Sequence, residues 1–511
     1  MSLFDEFKDY CNKRPIALVG LFALTIAFFG MWAFHHMVTF DAEGFYSLEN
    51  GEKWYVQWIA IGRWAFVALK AALDVIAVNP YFATALFVLL LPLSALLWSF
   101  AFQRWAGSDQ PLWVTLVFCT LYLSHPIWAQ QFGYRNQLEV MSVALAIAPF
   151  GMLLVGEWLR GKGAGWGIAA LAVATFEFGC YQSFIFMYAL GICIFLFHDM
   201  QRESEGKKNL TLWRKLGMSL AFVVVAFALC WGISKATEIA FGVDSAVTYF
   251  SSQFQWGVRP AAENIHAIAT YLFHSAFGNG IEFTALFAVE VFGLAFWIVA
   301  AWVRRKPWRG FATLIAFGIV LCPFLLEIVT AGDIVIRSQL AFVLAVSFLG
   351  MFELEVLAQL LFKRVPKGVL AVVIVVVAII AVVPQLQLQS RLLYTDVMVM
   401  DSDRTKMEQV YYQAMQAGGR PGDAVCFVGG QSNAVNDTMV EHEVIGYSYF
   451  EFVGSYDGGK AIEAMQAYGF DVSKPTDAQE SAARAEADSL EVWPSGGSIS
   501  VHDGYYVVRL S

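Results

Sequence analysis

The stretch "RWAFVALKAALDVIAV", residues 63–78, decides how this chain is threaded. It is apolar enough to invite a membrane span, yet it is short and carries Arg63, Lys70 and Asp74. A hydrocarbon core of about 30 Å asks for about 20 apolar residues in one helix. The stretch therefore reads as an amphipathic helix lying at the membrane surface. Eleven spans remain, near residues 16–37, 81–102, 111–126, 138–156, 165–179, 182–198, 215–234, 281–302, 310–329, 339–361 and 368–386. With that threading, 18 of the lysines and arginines before residue 387 fall on one side and 7 on the other. Counting 64–78 as a span flips every later loop and moves "RRKPWRG", residues 304–310, outside. Basic loops stay in the cytoplasm, so the N-terminus is expected inside and residues 387–511 outside.

Composition agrees with a membrane protein. The 511 residues are 58% hydrophobic and only 15% charged, too little charge to cover a soluble surface of this size. No long basic tract suggests nucleic acid as a partner. The seven cysteines show no paired spacing, so neither a disulfide framework nor a metal site is read from them. The N-terminus looks like an uncleaved first span and not a signal peptide.

The inner loops are short; the large segments, 38–80, 235–280 and the tail, are all outer. Long loops are usually functional, so function is expected on the outer face. The tail changes composition after Pro384. "DSDRTKMEQVYYQAMQAGG", "GKAIEAMQAYGF" and "SAARAEADSL" read as helices, "DAVCFVGG" as a strand, and "SISVHDGYYVVRL" as two strands turning at Asp503-Gly504. This predicts a helical membrane domain, 1–386, and a small extracytoplasmic α/β domain, 387–511. "FVGGQSN" lacks the Lys-Ser/Thr of a phosphate loop.

Polar side chains at membrane depth are costly and mark function. In "TFDAEGFY", residues 39–46, Asp41 and Glu43 stand among Phe40, Phe45 and Tyr46 where the first span ends. Burial there suits a general base or a ligand. Arg135 in "FGYRNQLEV" is an interfacial anchor or a phosphate contact. Glu177, Tyr181 and Gln182 share the turn "FEFGCYQSFIF", which a re-entrant backbone alone also explains. Arg337 in "AGDIVIRSQ" is a phosphate clamp or the partner of Asp333. His266 and His274 have no carboxylate or Cys at ligand spacing and read as structural.

Taken in order, "FDAEGFY", "IGRWAF", "CYQSFI", "IRSQLAF", and in the tail "FEFVGSYDGGK", "YGFDVSKPT", "WPSGGSI" and "VVRLS", resemble the bacterial and phage O-antigen-modifying glucosyltransferases, type two, which are membrane glycosyltransferases of the GT-C type. The resemblance runs from residue 40 to the last residue. It implies a polytopic GT-C-like helical fold with juxtamembrane helices on the outer face. It implies transfer of a hexose, usually glucose, from undecaprenyl phosphate to an extracytoplasmic glycan such as O-antigen, in the bacterial inner membrane. The acidic base of the first outer loop maps onto Asp41 or Glu43, and Arg63, Arg135, Tyr181, Gln182 and Arg337 are the substrate and donor-phosphate candidates. A β-linked donor giving an α-linked product implies inversion by a single displacement, for which one base suffices. Monophosphate donors imply no metal and no other cofactor, with basic residues neutralising the leaving phosphate. A flippase and a lipid-sugar synthase are the implied upstream partners. The alternative is a transporter or flippase of a lipid-linked sugar. Such folds show internal repeats and broken helices at the midplane; no repeat is read here, and the polar residues sit at the outer interface.

Overall fold

The computed structural model describes every residue except 1, 31–37, 40–53, 75–77, 203–208, 245–252, 333, 362–364, 434–435 and 452–458. Asp41, Glu43 and Asp333 lie outside the described residues.

An N-terminal helix, α1 (Leu3–Asn12), is capped by Ser2 and meets the next helix at 85°. The bundle follows: α2 (Pro15–Thr25, running into a π turn at Ile26–Gly30), α5 (Pro80–Ala106), α6 (Leu112–Leu123), α7 (Ile127–Gly133), α8 (Leu138–Leu159), α9 (Ala164–Cys180), α10 (Phe184–Arg202), α11 (Asn209–Phe241), α13 (Leu286–Val303), α14 (Arg309–Leu321), α15 (Leu325–Thr330), α16 (Leu340–Leu361) and α17 (Lys367–Gln416). Between them lie three helices on one end of the bundle, α3 (Val56–Ala60), α4 (Trp64–Ala72) and α12 (Ala261–Phe277). Among the described residues, eight helices are long and apolar enough to cross a membrane alone, and two bent pairs bring the number to ten. One pair is α6 with α7, bent by 50°; the other is α1 with α2. The remaining apolar segment of the eleven is α9, a helix of 17 residues. The protein is a polytopic helical membrane protein.

Local chemistry sets the helix ends. Asn79 accepts from the Phe82 amide at 3.1 Å, Pro80 opens α5, and Gly107, at φ 70°, closes it in the left-handed region. Helix contacts are made through a core rich in aromatics, including Phe87, Trp98, Phe102, Tyr122 and Trp128. Ser94 ties α5 to α8 by donating to the Leu145 carbonyl at 2.6 Å.

Two sequence expectations change in the fold. The short helix α4 turns its cation inward: Lys70 is fully buried and bonded to Glu139 of α8. An ion pair so placed is poor evidence of stability, but it fixes how α4 sits on the bundle. The last helix does not end with its apolar segment near residue 386. α17 runs 50 residues through Pro384, about 75 Å at 1.5 Å per residue. Proline removes one helical hydrogen bond, and the residues after it are good helix formers, so the helix carries the chain directly into the tail.

The distal half of α17 is part of a second core. Val399, Met400, Met407, Val410 and Ala414 pack with β1 (Ala424–Val428), α18 (Gly459–Ala467) and β3 (Tyr505–Arg509). The sheet order is β1-β3-β2, with β1 parallel to β3 and β2 (Ile499–His502) antiparallel to it. The Asp503-Gly504 turn joins β2 to β3, and α19 (Asp477–Glu486) lies against β1. Val38, at the end of the first span, is buried in this second core.

Candidate active site

The turn between α7 and α8, residues 134–137, is the hub of one end of the bundle. Gln137 donates its amide to the Tyr134 carbonyl at 3.2 Å, which closes the turn and aims successive side chains in different directions. Gln137 points to Arg63, Tyr134 lies under Arg337, and Arg135 turns inward.

Arg63 sits at the start of α4, placed by Gly62. That glycine has φ 77°, and a Cβ there would stand 3.5 Å from both Gln182 Nε2 and Ser234 Oγ. Ser234 Oγ donates to the Gly62 carbonyl at 3.1 Å and Gln182 Nε2 to the Ile61 carbonyl at 2.7 Å. The half-buried Arg63 guanidinium donates to Gln182 Oε1 and to Gln137 Oε1, each at 3.4 Å. Its carbon lies 4.4 Å from the Tyr181 ring centre and 5.4 Å from that of Trp58. These amides and rings fix the orientation of the guanidinium.

Arg337, on a short 3₁₀ turn (Ile336–Ser338), stacks over Tyr134 with 3.3 Å from guanidinium carbon to ring centre. Glu443, from the tail, approaches it at 3.8 Å and also accepts from the Ile336 amide. Glu443 holds a left-handed backbone, φ 54°, in a loop that closes onto the bundle. In that loop His442 Nδ1 lies 2.6 Å from Glu282, whose carboxylate also accepts from Gln130 at 3.0 Å and Asn279 at 2.9 Å. Arg391 of α17 donates to the loop carbonyls of Thr438 at 2.5 Å and Asp437 at 3.3 Å. Ile445 is buried in the bundle core. Glu282 holds His442 above the usual imidazole range, and burial holds the Glu443 carboxyl above its usual range against the opposing pull of Arg337.

Sequence reasoning had singled out Arg63, Arg135, Tyr181, Gln182 and Arg337. Arg63, Tyr181 and Gln182 meet directly, and Arg337 joins them through the 134–137 turn. Arg135 lies beneath this turn at 2% exposure, bonded to Thr84 and 3.8 Å from the Phe132 ring centre. The Asp396 carboxylate of α17 is near enough to feel its charge. Glu177 is fully buried in α9 and faces Tyr188. Tyr134, Gln137, Glu282, His442 and Glu443 carried no sequence signal of their own. Only Tyr134 and Gln137 were within reach, since they flank Arg135. Among the described residues no three His, Cys, Asp or Glu side chains gather as metal ligands.

A helical membrane bundle that gathers arginines, amides and aromatic rings at one end has the frame of a membrane glycosyltransferase. The chain belongs to the family described as glucosyl transferase GtrII, whose model matches residues 31–354. No curated protein and no solved structure matches the chain. The matched range contains Asp41, Glu43 and the five site candidates and stops before the tail, so the chain is a glycosyltransferase whose Glu443 and His442 lie beyond the family match.

Proposed function

We propose that the protein transfers glucose from a polyprenyl phosphate, in bacteria undecaprenyl phosphate, to a glycan outside the cytoplasmic membrane, such as O-antigen, with inversion. One observation carries this reading: Arg63 and Arg337 are held over one turn at one end of the bundle, within the range of a glucosyl transferase family. A phosphate leaving with its lipid stays at the membrane surface, and two guanidinium forks suit its oxygens. Arg135 contributes its charge from beneath.

Asp41 is the proposed base, with Glu43 orienting the acceptor or steadying Arg63. Val38, three residues before Asp41 in the chain, is buried beside the distal half of α17. The acceptor oxygen attacks the anomeric carbon as its proton passes to the carboxylate, and the bond to the phosphate oxygen breaks on the opposite face. A single in-line displacement inverts the centre and needs only one base. Phosphate charge grows in the transition state, where fixed guanidinium groups stabilise it most. No nucleotide and no metal enters the proposal. The charge bias of the loops supports an inside N-terminus and an outside site, in the bacterial inner membrane, downstream of a lipid-sugar synthase and a flippase.

Purified protein, labelled polyprenyl-phosphate glucose and acceptor glycan test it. Label should move to the glycan, polyprenyl phosphate should appear, and the new linkage should show the opposite anomer by NMR. Label that stays on the lipid overturns the donor assignment, and a retained anomer overturns the single displacement. For topology, Ser495→Cys should react with an impermeant thiol reagent in intact spheroplasts; reaction only after lysis reverses the orientation.

A further inference from the structure

At the end of the bundle opposite the candidate site, the termini of α10, α13 and α16 enclose a cavity of about 420 Å³. Arg202, Arg304 and Lys306 line it, and the only carboxylate among its lining residues is Glu355. Among the described residues none of these three cations forms an ion pair; Arg202 donates to the Trp105 carbonyl at 3.3 Å. His198 also lines the cavity, is 6% exposed, and its Nε2 has no hydrogen-bond partner. A buried ring nitrogen without a partner is costly unless something arrives to meet it. Trp297 and Trp308, stacked at 5.4 Å, form one wall, a placement typical of the membrane–water boundary.

This cavity adjoins an apolar cleft of about 390 Å³ between α13, α16 and α17, and the two share Trp297, Phe352 and Val356. Leucine, valine and alanine dominate the cleft. Its two carboxyls, Glu290 and Glu353, are drawn back against Gly350 and Gly293, where the missing side chains make room. A basic chamber opening onto a hydrocarbon-lined cleft matches a molecule with an anionic head and an apolar chain. A soluble anion has no use for the cleft, and a neutral lipid has no use for three cations.

We infer that this pair of cavities binds an anionic diacyl phospholipid, its phosphate among His198, Arg202, Arg304 and Lys306 and one acyl chain in the cleft. Clustered basic residues at a membrane boundary recognise anionic headgroups in this way. The site is separate from the one proposed for sugar transfer.

Native mass spectrometry of the full-length protein, released from detergent with defined lipids added, tests this. The parent should retain phosphatidylglycerol in preference to phosphatidylethanolamine. The double variant Arg304→Gln/Lys306→Gln should bind phosphatidylglycerol roughly tenfold or more weakly. His198→Phe should weaken it less. The exchanged pair Arg304→Lys/Lys306→Arg keeps the charge and should bind like the parent, which separates lost charge from lost fold. Equal retention of the two lipids, or unchanged binding by the double variant, overturns the inference. Displacement by inorganic phosphate alone overturns the lipid as ligand. Displacement by polyprenyl phosphate, but not by excess phosphatidylglycerol, reassigns the site to the isoprenoid lipid.

Discussion

The two ends of the bundle treat their basic side chains differently. At the end away from the site, carboxylates of the protein hold several of them. Arg104 meets Glu6 and, at 3.1 Å, Glu157; Lys162 also meets Glu157; Lys215 and Arg160 converge on Asp199. At the site end, Arg63 is held by Gln137, Gln182 and two aromatic rings, and Arg337 by the Tyr134 ring with Glu443 at 3.8 Å. An ion pair between protein groups consumes the charge it orients. At the site end amides and rings fix the direction of each guanidinium fork, which is what meeting phosphate oxygens in two places requires. The same residue type therefore does structural work in the ion-paired cluster around Glu157 and Asp199 and is proposed for binding at the candidate site.

The largest expected effect falls at the site end. Asp41→Asn should lower single-turnover sugar transfer by about 10²–10⁴-fold, the usual contribution of a positioned base, with donor binding retained. Glu43→Gln should keep more activity; if Glu43→Gln is dead and Asp41→Asn is active, the two roles exchange. Next come the guanidinium groups. Arg337→Lys and Arg63→Lys keep the charge but lose the fork, and donor affinity should fall about 10–100-fold for a lost charged hydrogen bond. Titration with a donor analogue measures it, and unchanged affinity in both variants removes these residues from the phosphate site. Arg135→Ala, by contrast, should lower the melting temperature more than donor affinity, because Arg135 is buried.

The ion-paired cluster at the opposite end should respond in stability alone. Glu157→Gln leaves Arg104 and Lys162 without their shared carboxylate and should cost about 1–3 kcal/mol of stability, read as a lower melting temperature. Transfer per folded molecule should not change, and a selective loss of activity would erase the contrast between the ends.

The smallest effect concerns pH and the tail loop. His442 is raised above 6.5 by Glu282, and Glu443 is raised by burial. For a group whose folded value is raised, stability is fully present below the unfolded value and is lost as pH rises through the folded value. Both groups therefore loosen the docked loop as pH rises, Glu443 first, from the carboxylate range upward, and His442 from about 6.5 upward. Amide exchange of residues 438–446, corrected for the intrinsic rate, should lose protection across that range. His442→Gln should flatten the upper part of the change, and a pH-independent profile rejects the coupling.

Residue chemistry alone determined the apolar segments, because a span is a local matter of length and hydropathy. It also determined the Asp503-Gly504 hairpin, whose turn residues admit the backbone it needs, and the singling out of Arg63, Tyr181, Gln182 and Arg337. Only the tertiary structure decided that Lys70 of an amphipathic stretch is buried against Glu139, that α17 continues through Pro384 into the second core, and that Glu443 reaches Arg337. Each of these joins groups far apart in the chain, or sets packing against a local rule. No window of sequence contains the partner that makes burial of the charge, or passage through the proline, worthwhile.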